Sequence, residues 1–572
     1  MPADNAYYVR HRRQPKNRRS GPDFPIGRAD VGGGRCAFRT PSRPGADIGR
    51  INRPVTTILG MPTGVVASPG SPVEVEGRGS KRDGPVQPSL HHGVLWVAGA
   101  LVVLELAVSA RYGFHRDELY FIVSGRHPAF GYVDQPPLAP LLTRLGTGLF
   151  GTDPTAVRIV PALVGGAVVI GTGLTAAQFG GRRFAQLLAA LAMACAPITL
   201  ASAHLAGTTV YDLAGWTFTI LFVIRAVALA QPHYWLAAGA VAGVALENKD
   251  LILLLGVALA IGLLSTPSRS VLATRWPWLG GLVALVVWMP NLIWQMTDSA
   301  PGLAMARALR TEHSGSGDYA SFLPAQVILV GILAFPIVVV GIRHLALRRE
   351  LHFALVTVGI VVMYVLVTIP GRPYYTAGVL PLLFAAGACR IGGKRSDRSG
   401  RRLWLAAPPV GAVLALAFVL PVLPLSAFAR MPFLHKTSYD LGESVGWPQL
   451  TAQVAAVYDR VPLRERPETS IFTANYGEAG ALAVYGPGHG LPVPLSGHNT
   501  FWLWGPGTAP DHVVVAVGGA GPLRAHFSDC RMSATIHSPH DVDNDEDGTG
   551  IWTCTGPRGN WSSFWTDLRH YG

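Results

Sequence analysis

The chain has 572 residues, of which 49% are hydrophobic and only 14% charged, with a formal net charge of +13. So few charges over such a length exclude an ordinary soluble enzyme and imply a polytopic α-helical membrane protein. The positive excess lies in the N-terminal segment and in short loops between apolar runs, a pattern that orients a membrane protein and argues against nucleic acid as a partner.

Residues 1–90 are rich in Arg, Pro and Gly, carry the basic run HRRQPKNRR and show no sustained apolar period. Such a segment buries too little apolar surface to offset its ordering entropy, so it is expected to be a disordered cytoplasmic tail. From His92 onward apolar runs recur at 92–110, 156–178, 184–204, 208–230, 234–247, 250–265, 276–296, 321–342, 351–369, 374–391 and 405–428. These predict about 11 transmembrane helices. The runs 234–247 and 250–265 are short for a crossing and flank the polar tip Glu247-Asn248-Lys249-Asp250, which suggests a tilted hairpin.

Loop charge sets the expected orientation. One set of loops holds the tail, Arg182-Arg183, the segment with Arg269 and Arg275, RHLALRRE and GGKRSDRSGRR. The alternate set holds 111–155, HLAG, ENKD, 297–320, PGRPYY and everything after 428, and is poorer in Lys and Arg. The first set is therefore expected to be cytoplasmic. The N-terminus is then inside and the C-terminus outside, in a multi-pass protein of the plasma membrane.

Beyond Phe428 the composition changes. Leu450, Val454, Val457 and Tyr458 recur at helical spacing, TSIFTANYGEAGALAVYG reads as strand, loop and helix, and DHVVVAVGG reads as a buried strand. Residues 431–572 are thus expected to form an extracytoplasmic α/β domain behind a membrane domain at 91–430. Of the five cysteines, Cys195 and Cys389 fall in apolar runs, whereas Cys530 and Cys554 lie in this polar region and are expected to pair outside the cytoplasm. Trp447, Trp502 and Trp504 offer rings that suit stacking on sugars, core packing being the alternative.

The stretch between the first two runs is the most informative. Residues 111–155 form a connection of roughly forty-five residues, far longer than ordinary loops. It gathers His115, Arg116, Asp117, Glu118, Arg126, His127 and Asp134 among aromatics. Charges held at a membrane surface by nearly uncharged spans point to function. The acidic pair Asp117-Glu118 after the first span, followed by YVDQPPL, resembles the first extracytoplasmic loop of polyprenyl-phosphate-sugar-dependent glycosyltransferases of GT-C fold. These include the protein O-mannosyltransferases and the aminoarabinose transferases that act on lipid A.

The resemblance implies an inverting, mannosyltransferase-like enzyme. Its donor is a polyprenyl-phosphate sugar in the membrane, and its acceptor is a protein, a glycolipid or a wall polysaccharide. It implies that Asp117 is the general base, that Glu118 assists or binds metal, and that Asp134 associates with a divalent Mg or Mn ion. Some relatives carry Lys where this chain has Gln135, which removes one cation from the phosphate site. Lys249 after AGVALEN, and Arg372, Tyr374 and Tyr375 in the Gly371 to Tyr375 segment, are then the candidate phosphate ligands, with Arg116, Gln135 and Asp212 in support. Pro136-Pro137 fixes the turn into the next surface helix. Two other classes compete. A flippase for lipid-linked sugars would place ionisable groups near the bilayer midplane. A membrane-anchored sensor would act through 431–572 with a degenerate transferase core.

Overall fold

The structure, a computed structural model, describes residues 89–298, 300–313, 319–368, 372–393 and 398–571. The expected tail, apart from its last two residues, and Gly371 lie outside them. The chain separates into two units, Met1–Lys81 and Arg82–Gly572, and all described residues belong to the second.

Helix α1 (His92–Val108) is followed by α2 (Arg116–Arg126) and α3 (Leu138–Phe150), so the long 111–155 connection is largely helical rather than irregular. Next comes α4 (Pro154–Gln178), started by Asp153, whose Oδ1 accepts from the amides of Thr155 at 2.9 Å and Ala156 at 3.1 Å. With Pro154 in the first turn this is a favourable helix start. Glycines let α4 pack closely. A Cβ at Gly165 would lie 2.6 Å from that of Ala203, and one at Gly173 would lie 2.8 Å from Val94.

The bundle continues with α5 (Arg183–Ala194), α6 (Pro197–His204), α7 (Thr208–Val227), α8 (Tyr234–Leu246), α9 (Ile252–Leu264) and α10 (Arg275–Thr297). Then follow α11 (Pro301–His313), α12 (Tyr319–Val330), α13 (Phe335–Leu347), α14 (His352–Thr368), α15 (Leu380–Gly393) and α16 (Arg398–Val419). Among the described residues six helices are long and apolar enough to cross a membrane, or up to nine if each bent pair is one span. Two of the expected spans are bent. The 184–204 run breaks by 58° between α5 and α6, where Pro197 lacks the amide needed to continue the helix. The 321–342 run turns by 101° between α12 and α13, where Gly331 adopts φ +89, open to glycine without strain. Helices α10 and α16 keep exposed apolar side chains such as Trp278, Val286, Val413 and Leu414, as a lipid-facing surface requires.

Short helices α17 (Leu425–Ala429), α18 (Pro432–Thr437) and α19 (Tyr439–Gly442) lead to α20 (Trp447–Tyr458), the amphipathic helix read from the sequence. A five-stranded sheet follows, in the order β2-β1-β3-β5-β4. Strands β1 (Thr469–Thr473), β2 (Pro494–Ser496) and β3 (Val513–Val517) are parallel, while β4 (Phe527–Thr535) and β5 (Gly550–Pro557) add antiparallel. Cys530 sits opposite Cys554 in the β4–β5 register, and the two are joined as a disulfide. Helices α21 (Tyr476–Tyr485) and α22 (Asn499–Trp504) follow β1 and β2.

This α/β region is not packed on its own. Leu119 and Ile122 of α2 share one apolar core with Trp447, Val454, Ile471 and Val515. The two glycines of NYGEAG explain how α21 reaches α2. A Cβ at Gly477 would lie 3.1 Å from Arg116 Cβ, and one at Gly480 would lie 2.9 Å from Leu119 Cβ. Only bare backbone allows that approach.

Candidate active site

The acidic pair is divided by helix geometry. His115 caps α2, its Nδ1 accepting from Asp117 N at 3.2 Å, and the Glu118 carboxylate accepts back from His115 N at 2.8 Å. Neighbours on a helix point about 100° apart. Asp117 faces outward and its side chain stays 43% exposed, whereas Glu118 is fully buried.

Burial would be prohibitive for Glu118 without a cation, and Arg158 of α4 supplies it. Arg158 Nε and Nη2 donate to the two carboxylate oxygens at 2.9 and 2.6 Å. The same guanidinium donates to the carbonyls of Ser109 at 2.6 Å and Gly113 at 2.8 Å, and Ala206 N donates to Glu118 at 3.0 Å. His204 lies beside this pair, 3.3 Å from Arg158 and 3.2 Å from Glu105. Both Glu118 oxygens are engaged inside the protein. The residue ties α2 to α4 and to the turn before α7.

Asp117 meets the C-terminal region instead. The Tyr476 hydroxyl donates to Asp117 Oδ1 at 2.7 Å, and Arg116 Nε donates to the same phenol at 3.2 Å with its guanidinium 5.0 Å above the ring. Burial, reinforced by the negative Asp117, pushes the Tyr476 phenol well above its ordinary value, so it stays a donor. Arg116 also reaches Glu443 at 3.3 Å, Asp545 at 3.2 Å and the Tyr439 hydroxyl at 3.0 Å. Burial outweighs that cation at Glu443, whose carboxyl rises to about 7.

Asp134 is held by a second tyrosine. The Tyr120 hydroxyl lies 2.7 Å from Asp134 Oδ1 and 2.6 Å from Thr500 Oγ1, and Val133 N donates to Thr500 at 3.0 Å. The rings of Tyr120 and Tyr476 are 5.0 Å apart, so the two carboxylate sites abut. Burial raises the Asp134 carboxyl to about 6, against the Tyr120 hydrogen bond and with added repulsion from Asp117. Among the described residues no three His, Cys, Asp or Glu side chains converge as metal ligands. The donor set around Asp134, one carboxylate engaged by a phenol, does not fit a divalent ion held by protein ligands alone. Gln135 is buried, and its carbonyl accepts from Tyr132 N at 2.9 Å to close the turn before Pro136.

That turn is docked on the other predicted element. Leu138 N donates to Glu247 O at 2.7 Å, and Asn248 Nδ2 donates to Thr208 O at 2.9 Å, fixing the tip that carries Lys249. Lys249 Nζ lies 4.4 Å from the Tyr375 ring centroid and 5.5 Å from that of Tyr374. Arg372 Nη1 donates to the Tyr375 hydroxyl at 3.3 Å. Lys249, Arg372, Tyr374 and Tyr375, more than a hundred residues apart in sequence (~120), therefore form one cluster. Asp212 is buried on α7 and accepts from Trp216 Nε1 at 3.1 Å, while Gly378, three residues beyond Tyr375, packs against that indole.

Sequence reasoning missed Tyr120, Arg158, Tyr476 and Thr500. Arg158 had a signal, an arginine within an otherwise apolar span. Tyr476 and Thr500 lie in NYGEAG and LSGHNTFWLWGPG, stretches that stand out without revealing their target. Of the tryptophans, Trp447 is core, and Trp504 packs 4.6 Å from the His127 ring.

The family model described as dolichyl-phosphate-mannose-protein mannosyltransferase matches residues 134–294. No curated protein matches the sequence. The crystal structure of ArnT from Cupriavidus metallidurans bound to undecaprenyl phosphate superposes with TM-score 0.53 at 17% identity, covering 82% of this chain and 100% of that one. The apo form of the same protein gives TM-score 0.54 at 18% identity with the same coverage. A weaker likeness, TM-score 0.46 at 13% identity, is to archaeal oligosaccharyltransferase AglB from Archaeoglobus fulgidus, over 76% of this chain and 70% of that one. The chain thus has a GT-C-like membrane fold with a small C-terminal sheet, and within it a segment similar to the dolichyl-phosphate-mannose-protein mannosyltransferases.

Proposed function

We propose that the chain is a membrane glycosyltransferase that moves a sugar from a polyprenyl phosphate to an acceptor outside the cytoplasm. The observation that carries this reading is the meeting of Lys249, Arg372 and Tyr375, with the tip that holds Lys249 bonded through Glu247 to Leu138, four residues after Asp134. Two cations beside paired phenols suit a phosphate monoester leaving group, and an exposed carboxylate suits a base. The likeness to a solved protein bound to undecaprenyl phosphate supports the donor class.

In this mechanism Asp117 takes the proton of the acceptor hydroxyl as its oxygen attacks the anomeric carbon. The bond from that carbon to the phosphate oxygen breaks, and the electron pair leaves with the polyprenyl phosphate. Lys249 and Arg372 neutralise the charge that develops there, Tyr375 fixes Arg372, and Tyr374 and Tyr375 line the path of the lipid. A single displacement of this kind inverts the anomeric centre. Tyr476 holds Asp117, and Arg158 with Glu118 holds the helix that carries it. Asp134 braces Tyr120. A mannose-like sugar is the specificity suggested by the family match.

The reading includes a three-part organisation of tail, membrane domain and α/β domain at 1–90, 91–430 and 431–572. It also includes eleven spans, a cytoplasmic N-terminus and an extracytoplasmic C-terminus; a reporter fused after Gly572 that reports the cytoplasm would overturn that orientation. The functional test is purified full chain in nanodiscs, given polyprenyl-phosphate sugars and an acceptor fraction. Release of free polyprenyl phosphate with sugar appearing on acceptor supports the reading. Movement of intact donor between leaflets without cleavage contradicts it.

A further inference from the structure

At the far end of α4 from Arg158, a cavity of about 1070 Å³ opens among Phe179, His344 and the ends of several helices. The 25 residues of α4 separate the two ends by about 37 Å, so this cavity is remote from the carboxylate site. Arginines reach it from four elements. Arg182 and Arg183 start α5, Arg348 follows α13, and Arg390 ends α15. Arg398, Arg401 and Arg402 fill the first turn and a half of α16. No acidic side chain lines the cavity among the described residues, and of these arginines only Arg348 has an acidic partner there, Glu350 at 2.5 Å.

Two further features make this more than a set of orienting charges. Helices α5 and α16 both begin at the cavity, with no acid in their first turns, so two positive helix ends add to the clustered cations. His344, 7% exposed, lines the cavity with neither ring nitrogen hydrogen-bonded. A buried imidazole without partners is costly. Like charges around one opening repel unless an anion joins them. Phe184, Leu187 and Leu405 supply an apolar wall beside the arginines.

We propose that this cavity binds a phosphate-bearing anion, held by the arginines and by His344. Such a group comes either from an anionic lipid headgroup, its acyl portion against the apolar wall, or from a soluble phosphate compound. Neither source involves the transfer reaction.

The test uses the full chain in two arms. In the first, protein is reconstituted in nanodiscs of phosphatidylcholine with phosphatidylglycerol and cardiolipin, and lipid retained after transfer to neutral detergent is measured by native mass spectrometry. In the second, inorganic pyrophosphate is titrated in neutral detergent while thermal unfolding is followed. The combined variant Arg183→Ala, Arg401→Ala, Arg402→Ala should lose retention or apparent pyrophosphate affinity at least ~10-fold. The same three positions changed to Lys should keep most of it. Should the triple Ala variant fail to fold, Arg401→Ala and Arg402→Ala are made singly, and each should weaken binding several-fold. Loss in the lipid arm identifies a headgroup, and loss in the pyrophosphate arm alone identifies a soluble ligand. Equal binding by wild type and the Ala variants in both arms would overturn the proposal.

Discussion

The hydroxyl of Tyr476 donates a 2.7 Å hydrogen bond to Asp117, 359 residues earlier in the chain. The carboxylate on α2 is thus oriented by the α/β region, which reaches it because Gly477 and Gly480 allow α21 to lie against α2. Tyr476→Phe keeps the ring and removes the donor. Loss of a hydrogen bond to a charged group costs about 1.5–3 kcal/mol, so turnover should fall roughly 10- to 150-fold. Donor affinity should hold, because the proposed phosphate ligands are elsewhere. A variant that loses donor affinity and turnover together would instead mark Tyr476 as a packing residue.

Arg158→Met should destabilise the protein more than any substitution at the exposed Asp117. It leaves the Glu118 carboxylate buried without its cation, which typically costs about 3–5 kcal/mol. Arg158→Met with Glu118→Gln removes both charges and should recover much of that loss. Thermal unfolding in detergent checks both. If the single and double variants melt together, the ion pair does not hold α2 to α4.

Stability should also respond to pH through Glu443. Its carboxyl titrates at about 7 in the folded protein against 4.5 ordinarily, so the folded state takes up a proton across that window. Its contribution is fully present below about pH 4.5 and is lost as pH rises through 7. Asp134, raised to about 6, acts in the same direction. The unfolding temperature should therefore drop between about pH 4.5 and 7, and Glu443→Gln should flatten the slope. An unchanged slope in that variant would remove Glu443 as its source.

Membrane periodicity, the basic loops and the α/β alternation after Phe428 were all legible in the sequence, because each rests on local composition. The bends at Pro197 and Gly331 were not, since an apolar run looks the same straight or folded. Within the site, the sequence marked Asp117 and Glu118 as a pair, and only helix geometry separates them, one toward solvent and one toward Arg158. Lys249 and the tyrosines at 374 and 375 were singled out by motif, but no local pattern shows that the distant turns carrying them meet. Tyr476 and Thr500 were invisible as site residues because their partners are more than 350 residues away.

The Cys530–Cys554 bond closes a loop between residues 24 apart, worth about 3–4 kcal/mol by chain entropy. Reduction should lower the unfolding temperature of the α/β region, and non-reducing peptide mapping should recover the two cysteines linked. Recovery of both as free thiols would contradict the pairing.

The central claim is a division of labour, with Asp117 for chemistry and the Lys249–Arg372–Tyr375 cluster for the donor phosphate. It is tested most directly by measuring turnover and donor affinity separately for Asp117→Asn and Arg372→Ala in nanodiscs. Loss of a general base should cut turnover about 100- to 10,000-fold in Asp117→Asn with donor affinity nearly unchanged. Arg372→Ala should weaken donor binding by about 2–5 kcal/mol. Near-normal transfer by Asp117→Asn, or unchanged donor affinity in Arg372→Ala, would contradict the account.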